Sequence, residues 1–157
     1  MSMIFGRRTL VQGLAVCALG ARAGKAAQRP VPALTVYKDA NCGCCKAWVA
    51  HVRAAGGFSV GIVDVPDLAA TKVRLGVPAA LAACHTGVVA GYLIEGHVPA
   101  ADIARLLAAR PAGVRGLAVP GMPAGSPGME VPGGYKEPFD VLAFDAKGAT
   151  RVFARHA

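Results

Sequence analysis

Three cysteines lie within four residues in the segment Cys42-Gly43-Cys44-Cys45, between a short apolar run and an amphipathic stretch. The spacing of Cys42 and Cys45 places two thiols at the N-terminus of a helix. There the helix dipole and the unpaired backbone N–H groups favour the thiolate and lower the thiol pKa. Such a pair serves disulfide exchange and metal binding equally well, so the pair by itself leaves both chemistries open.

Cys44 is a third thiol inside this pair, and it favours a metal site. A redox CxxC motif gains nothing from an extra thiol and risks incorrect disulfides, whereas a soft-metal site gains a ligand. A plain structural disulfide is an alternative for an exported protein, but it leaves an odd thiol.

Cys84 is the fourth cysteine outside the first 27 residues. Whether it can bind the same metal as the other three depends on where the strand after Pro78 begins. If Pro78 is the strand-opening proline that faces the CxxC motif in thioredoxins, the strand ends at Cys84, which then lies out of reach of the metal. If Pro78 instead opens a short helical turn, the strand begins at about His85 and Cys84 enters the sheet beside the other cysteines. The alanine-rich run after Pro78 is helix-prone and Val88-Val89 is strand-like, which favours the second register.

Further candidate metal donors are a histidine beside Cys84 and two methionines in a segment rich in Pro and Gly. His85 follows Cys84 directly, and it either ligates metal, hydrogen-bonds a thiolate or is structural. Met122 and Met129 lie in a Pro/Gly-rich segment rather than on an apolar helical face, and thioether sulfur is a soft donor that suits Cu(I). Core filling is the alternative for both methionines.

The other histidines are given no ligand role. His97 is interpreted as a cap or brace of its loop. His51 is placed on the solvent side of a helix and His156 in the C-terminal tail.

The bunching of the cysteines also bears on the metal. Four thiolates are a familiar zinc set, but zinc sites usually pair two separated CxxC motifs. Bunched thiolates instead favour bridging, in which one sulfur serves two metals, as in multinuclear Cu(I) clusters. Zinc is therefore the less favoured metal. The ligand count also allows an iron–sulfur cluster, which is less expected in an oxidising compartment.

The hydrophobic pattern predicts one α/β domain. The predicted elements are a strand at 34–37, a helix at 44–55, a strand at 58–65, a helix from the cap Asp67 to Leu75, a hairpin turning at Ala90-Gly91, and a helix at 99–109. A parallel βαβ unit with the CxxC spacing at its first turn, followed by an antiparallel pair and a helix, indicates a thioredoxin-like fold.

Two features follow the last predicted helix. The stretch from Pro111 to Pro138 is rich in Pro and Gly and is predicted as a long loop that is mobile or functional. Two strand-like runs, 139–144 and 149–154, then predict a C-terminal β-hairpin that extends the sheet.

Residues 1–27 are typical of an export signal. Arg7 and Arg8 precede an uncharged run that is too short for a permanent membrane span, and small residues of the kind found before cleavage sites follow. The twin arginines resemble a Tat signal, with Sec export as the alternative. Cys17 lies in this segment and has no assigned role. The predicted mature domain is 28–157, in the periplasm.

Half of the net charge of +8 lies in this predicted signal. Without the signal, the chain contains thirteen basic and nine acidic residues, with no Lys/Arg run and no interleaved aromatic residues. This mildly basic surface disfavours nucleic-acid binding.

Four segments together resemble the bacterial periplasmic copper-resistance family called CopG. They are the run from Tyr37 to Trp48 around the three cysteines, Cys84-His85-Thr86, the segment from Glu95 to Pro99, and the loop from Pro120 to Met129. The resemblance covers nearly all of the mature chain. It implies a thioredoxin-like fold and a cysteine-bridged copper cluster whose ligands are Cys42, Cys44, Cys45 and Cys84.

The sequence therefore predicts an exported copper-binding protein for copper resistance that holds Cu(I), with copper ions and other exported copper-handling proteins as its partners. The alternative is a thiol-disulfide or copper oxidoreductase that uses Cys42 and Cys45. A disulfide-stapled binding module is a third hypothesis. Storage, transfer and redox roles for the copper stay open.

Overall fold

The structure is a computed structural model that describes residues 30–157. The predicted export signal and Cys17 lie outside the described residues. The described elements are β1 (Ala33–Lys38), α1 (Gly43–Ala55), β2 (Ser59–Asp64), α2 (Leu68–Leu75), a 3-10 turn (Ala79–Leu81), β3 (His85–Val89), β4 (Tyr92–Gly96), α3 (Ala100–Ala109), β5 (Gly116–Val119), β6 (Phe139–Phe144) and β7 (Thr150–His156).

Within residues 30–157, the strands form one seven-stranded mixed sheet in the order β2-β1-β3-β4-β5-β6-β7. β1 and β2 are parallel, as are β4 and β5, and the remaining neighbours are antiparallel. The predicted single α/β domain is confirmed at this level. The predicted C-terminal hairpin is present as β6 and β7, and it extends the sheet through β5.

Local sequence signals set the ends of the helices. The Asp67 side chain caps α2 by accepting the backbone N–H of Ala70 at 2.8 Å, and Gly76 ends this helix in the left-handed conformation. Gly56 ends α1 and Pro99 precedes α3. These boundaries agree with the prediction to within one or two residues.

The strand after Pro78 has the predicted register, in which Pro78 opens a helical turn and the strand begins at His85. Pro78 precedes the 3-10 turn at Ala79–Leu81, and β3 begins at His85. The buried Leu81 anchors this turn to the core. Cys84 therefore lies at the entry of β3 and not at its far end.

The expectation of a long loop from Pro111 to Pro138 is wrong in one part, because β5 lies within it. All four residues of Gly116–Val119 are buried, and the strand pairs with β4 on one side and β6 on the other. A run this short among prolines and glycines carries little strand signal by itself. Its burial between two neighbours decides its conformation.

Both faces of the sheet are covered. Adjacent residues of β4 point to opposite sides: Ile94 joins the main core with Trp48, while Leu93 joins a smaller cluster with Leu81 and Phe144. The Trp48 indole N–H donates to the Val98 carbonyl at 2.9 Å, which ties α1 to the segment before α3. No helix of residues 30–157 has the length and apolar character to cross a membrane.

Two histidines have structural contacts that the sequence did not predict. His51 is half-buried and does not simply face solvent: its Nε2 accepts the backbone N–H of Ala100 at 3.3 Å. This contact satisfies an N–H group in the first turn of α3, whose N-cap residue Pro99 offers no side-chain acceptor. His156 is part of β7, lies 2.7 Å from an Asp102 carboxylate oxygen and stacks on Phe139.

Candidate metal centre

The cysteine segment forms the start of α1. Cys42 is the N-cap residue, and its Sγ accepts the backbone N–H of Cys45 at 3.3 Å. Cys44 and Cys45 lie in the first turn, where backbone N–H groups have no partner within the helix. The predicted placement of the thiols at a helix N-terminus is confirmed.

Antiparallel pairing between β1 and β3 brings Cys84 to these cysteines. In that ladder Lys38, the last residue of β1, is paired with His85, the first residue of β3. The chain that leaves β1 toward Cys42 and the chain that enters β3 through Cys84 therefore meet at one edge of the sheet. The Cys45 Sγ lies 3.4 Å from the Cys84 carbonyl oxygen.

The four cysteine sulfur atoms lie within 4.8 Å of one another and are named here the four-cysteine group. Cys44 Sγ is 3.5 Å from Cys42 Sγ and 3.7 Å from Cys84 Sγ. Two thiolates on one tetrahedral ion, each about 2.3 Å from it, are about 3.8 Å apart. The spacing and the soft sulfur donors therefore fit a thiophilic metal ion.

Cys42 and Cys45 are joined by a disulfide, whereas Cys44 and Cys84 are free thiols within the part of the chain that the structure describes. The disulfide links the two residues whose CxxC spacing predicted the alternative redox pair. Two of the four sulfur atoms must therefore be reduced before the whole group is available to a metal.

The Cys84 thiol lies in an environment that disfavours its ionisation. Burial, followed by the nearby Cys44, raises the pKa of Cys84 to about 12. Without metal, Cys84 is therefore a protonated thiol at neutral pH. A metal that binds as a thiolate complex displaces that proton.

His85 is fully buried beside Cys84. Its Nδ1 lies 3.3 Å from Cys84 Sγ, and its ring packs on Trp48 at a centroid distance of 4.3 Å. Its Nε2 has no hydrogen-bond partner among residues 30–157. Burial, then the nearby His97 and Lys72, lowers the pKa of His85 to about 3. The ring is therefore neutral and retains a lone pair for a metal.

His97 completes a second set of donors with Cys84 and His85, although no local pattern in the sequence marked it as a ligand. Its Nε2 lies 3.0 Å from Cys84 Sγ, and its Nδ1 lies 2.7 Å from the Pro127 carbonyl oxygen. Because a carbonyl oxygen only accepts, Nδ1 carries the proton and Nε2 presents its lone pair to the sulfur. The signal that pointed to His97 was its place in one of the four segments that resemble the CopG family.

A buried polar network supports the loop that carries Cys84. The fully buried Glu95 carboxylate accepts hydrogen bonds from the Lys72 ammonium, from the Thr86 hydroxyl at 2.7 Å and from the Ala83 backbone N–H at 2.6 Å. Burial raises the pKa of Glu95, and the Lys72 charge opposes this rise. Glu95 thereby holds the residue immediately before Cys84, a role that no local sequence pattern indicated.

The two predicted methionine ligands lie in the segment after β5. Met122 is 41% exposed, and Met129 is half-buried. The segment is held near the cysteines by Gly128, where a Cβ would lie 2.5 Å from the Trp48 backbone nitrogen and 3.0 Å from the Cys44 carbonyl oxygen. Metal ligation by either methionine remains a prediction.

Replacing Gly128 with alanine is expected to lower the free energy of unfolding by about 2 kcal/mol or more, because the new methyl group overlaps the backbone of α1. The residue also has φ +83°, which disfavours side chains. Gly121→Ala is the matched control, since Gly121 has φ +78° but open space around it. Urea unfolding followed by the fluorescence of Trp48, the single tryptophan, measures both variants. Equal losses of unfolding free energy in the two variants would mean that the close packing of Gly128 on α1 contributes nothing to stability.

A family model and two solved structures all match this chain and point to one family. The family model described as "Protein of unknown function, DUF411" matches residues 81–129. A solved structure titled "Copper resistance protein copG- Form 2" is 47% identical to this chain, covers 80% of it and is itself covered over 98% of its length, with a TM-score of 0.74. The chain belongs to the CopG copper-resistance family.

A second CopG structure, titled "Form 1", is 48% identical, with coverage of 79% of this chain and 96% of that one and a TM-score of 0.73. No curated protein matches. The segment matched by the DUF411 model contains the candidate donors that follow the Cys42–Cys45 segment in the chain. These are Cys84, His85, His97, Met122 and Met129.

Proposed function

We propose that this chain is an exported copper-binding protein of bacterial copper resistance that holds Cu(I) on Cys42, Cys44, Cys45 and Cys84. The observation that carries the proposal is the convergence of these four sulfur atoms within 4.8 Å. Thiolate sulfur is a soft ligand that selects Cu(I). The two CopG relatives are both named copper resistance proteins, which supports copper as the cargo.

The cluster is multinuclear in this proposal. Cys44 Sγ lies at metal-sharing distance from two different sulfur atoms, 3.5 Å from Cys42 and 3.7 Å from Cys84. A thiolate between two neighbours in this way is suited to bridge two Cu(I) ions. His85, Met122 and Met129 are further ligands or entry residues in the same proposal.

The fold proposed for this site is a thioredoxin-like core with an extension. In support, β1, α1 and β2 form a parallel βαβ unit, and β3, β4 and α3 add an antiparallel pair and a helix. Strands β5 to β7 then extend the sheet beyond β4. The CxxC motif lies at the first strand-to-helix turn.

Export to the periplasm is proposed from residues 1–27, whose twin arginines, short apolar run and small residues are typical of a signal peptide. In that compartment, the partners proposed are copper ions and other exported copper-handling proteins.

A thiol-disulfide oxidoreductase is the second candidate function, and the Cys42–Cys45 disulfide favours it. Cys42 is partly exposed and Cys45 is fully buried, so the Cys42 thiolate is the attacking group. It would attack a substrate disulfide and release one substrate thiol. Cys45 would then attack the mixed disulfide, release the second substrate thiol and leave Cys42–Cys45 oxidised.

The metal content of the fully reduced protein tests the first function. Titrated anaerobically with Cu(I) against a colorimetric Cu(I) chelator, the protein is expected to bind more than one Cu(I) per chain, because four thiolates outnumber the needs of a single soft ion. One bound zinc and no copper would contradict the proposal.

Insulin reduction separates the second function from the first. A Cys44→Ser/Cys84→Ser variant keeps the CxxC pair but lacks half of the four-cysteine group. Full insulin-reducing activity in this variant, together with negligible copper binding by the wild-type protein, would establish the oxidoreductase instead.

A further inference from the structure

The two edge strands of the sheet differ in how they are protected against pairing with another chain. Strand β7 carries Arg151 and Arg155, and a bulge leaves Phe153 outside the register with β6. The Arg105 guanidinium lies 4.3 Å from the centroid of the Phe153 ring and donates to the Phe153 carbonyl at 3.0 Å. Charged side chains and bulges are the usual devices that block an edge, so β7 is a protected edge.

Strand β2, at the other end of the sheet, lacks these devices. Its residues pair regularly with β1 and include no Pro, Lys or Arg, and its single charge is that of Asp64 at its end. The side chains of Ile62 and Val63 are each 40% exposed and lie on opposite faces of the strand. Among residues 30–157, no strand pairs with the outer side of β2, which is named here the β2 edge. An edge of this kind is a template for an added strand.

Alternate residues of β2 direct their backbone groups to the β2 edge. The Ser59 N–H donates to the Pro32 carbonyl at 2.9 Å, so the odd-numbered residues of the strand direct their N–H and C=O groups toward β1. The even-numbered residues, Val60, Ile62 and Asp64, therefore direct theirs outward. Each of these three residues presents an N–H and a C=O to an added antiparallel strand.

A second copy of β2 fits this edge in the antiparallel orientation. With a two-fold axis at Ile62, this residue lies opposite Ile62 of the second copy, and Val60 lies opposite Asp64. All three outward residues then form hydrogen-bonded pairs. On the other face of the sheet Val63 lies opposite Gly61, where the position of a Cβ has no atom within 4 Å. The β2 edge is therefore self-complementary in hydrogen bonding and in shape.

Charge complementarity also favours a second copy as the occupant. The Arg53 guanidinium donates to the Val60 carbonyl at 3.1 Å, so in this pairing it lies beside Asp64 of the second copy. The Asp64 side chain is 53% exposed, and its Oδ1 accepts from Lys38 at 2.6 Å, while a carboxylate has a second oxygen for another cation. Because a carbonyl oxygen has two lone pairs, Val60 can accept the Asp64 N–H and keep Arg53. The two-fold axis creates this Arg–Asp contact twice.

We propose that the β2 edge is the interface of a symmetric dimer of this chain. In this dimer the two copies of β2 pair antiparallel about Ile62 and join the two seven-stranded sheets into one continuous sheet. The interface uses no metal ligand, so the inference goes beyond the proposed copper function and does not depend on it.

Sedimentation velocity of the purified protein over a range of concentrations tests the dimer. Chelator and reductant are present, because they exclude bridging by metal ions and by disulfides between chains. The expected result is a monomer–dimer equilibrium. Amide hydrogen exchange measured by NMR gives the register: exchange at Ile62 and Asp64 is expected to slow as the concentration rises. The Gly61 amide, which faces β1, is expected to exchange slowly at every concentration.

Three variants sharpen the test. Ile62→Lys places two like charges opposite each other at the two-fold axis and is expected to weaken dimerisation at least about 10-fold. Val152→Lys is the matched control, because Val152 is 42% exposed on β7, and it is expected to leave the equilibrium unchanged. Arg53→Glu changes an exposed residue of α1 and is also expected to weaken the dimer, so the test stands if Ile62→Lys does not fold. Near-UV circular dichroism confirms the fold of each variant.

Two results would overturn the inference. One is a protein that remains monomeric at millimolar concentration, which would leave the β2 edge to a strand of another protein. The other is a dimer that Val152→Lys dissociates and Ile62→Lys does not, which would place the interface on β7. Both results leave the proposed copper function standing, because that function is tested by metal content.

Discussion

Cys84→Ser is expected to remove most of the copper bound by the reduced protein and to weaken the remainder by more than about 100-fold, because the loss of a ligand exceeds the about 10- to 100-fold cost of an outer-sphere change. Cys84 belongs to the four-cysteine group, and its sulfur atom also lies 3.0 Å from His97 Nε2. A hydroxyl group is a poor ligand for Cu(I) compared with a thiolate. The measurement is Cu(I) per chain and affinity by chelator competition.

The neighbouring Ala82→Ser is the control for this variant. Ala82 is exposed in the same loop, and its replacement adds a hydroxyl group without removing a donor. Wild-type binding is expected for it. If Cys84→Ser also binds copper as the wild type does, the metal does not lie at the edge of the sheet where β1 and β3 meet.

Glu95→Ala is expected to lower the free energy of unfolding by about 3–5 kcal/mol, because it leaves the buried Lys72 ammonium without its counter-charge. The Thr86 hydroxyl and the Ala83 N–H also lose their acceptor. The loop before Cys84 is therefore released along with the ion pair. Urea unfolding of the metal-free wild type and variant measures this change in the free energy of unfolding.

Two further variants distinguish a buried ion pair from a general loss of charge. Asp140→Ala breaks the exposed pair with Arg155 and is expected to cost less than about 1 kcal/mol. The double variant Lys72→Met/Glu95→Leu removes both buried charges and is expected to recover much of the lost stability. A cost for Glu95→Ala as small as that for Asp140→Ala would show that the network does not support the fold.

Local chemistry in the sequence determined much of this protein. The CxxC spacing at the start of α1, the Asp67 cap, the turn at Ala90-Gly91 and the C-terminal hairpin depend on contacts between residues close in the chain. Short-range geometry of this kind is carried by residue type and spacing. The set of four cysteines, and hence a preference for a soft metal, followed from the residue types alone.

Only the tertiary structure decided which distant residues meet. The antiparallel pairing of β1 with β3 places Cys84 beside Cys44, 40 positions earlier in the chain. The next pairing, β3 with β4, carries the chain to His97 and to Glu95 beneath the Cys84 loop. Strand β5 likewise exists because two neighbouring strands bury it. Strand partners are selected by burial and hydrogen bonding across the whole sheet, and no spacing in the sequence encodes that choice locally.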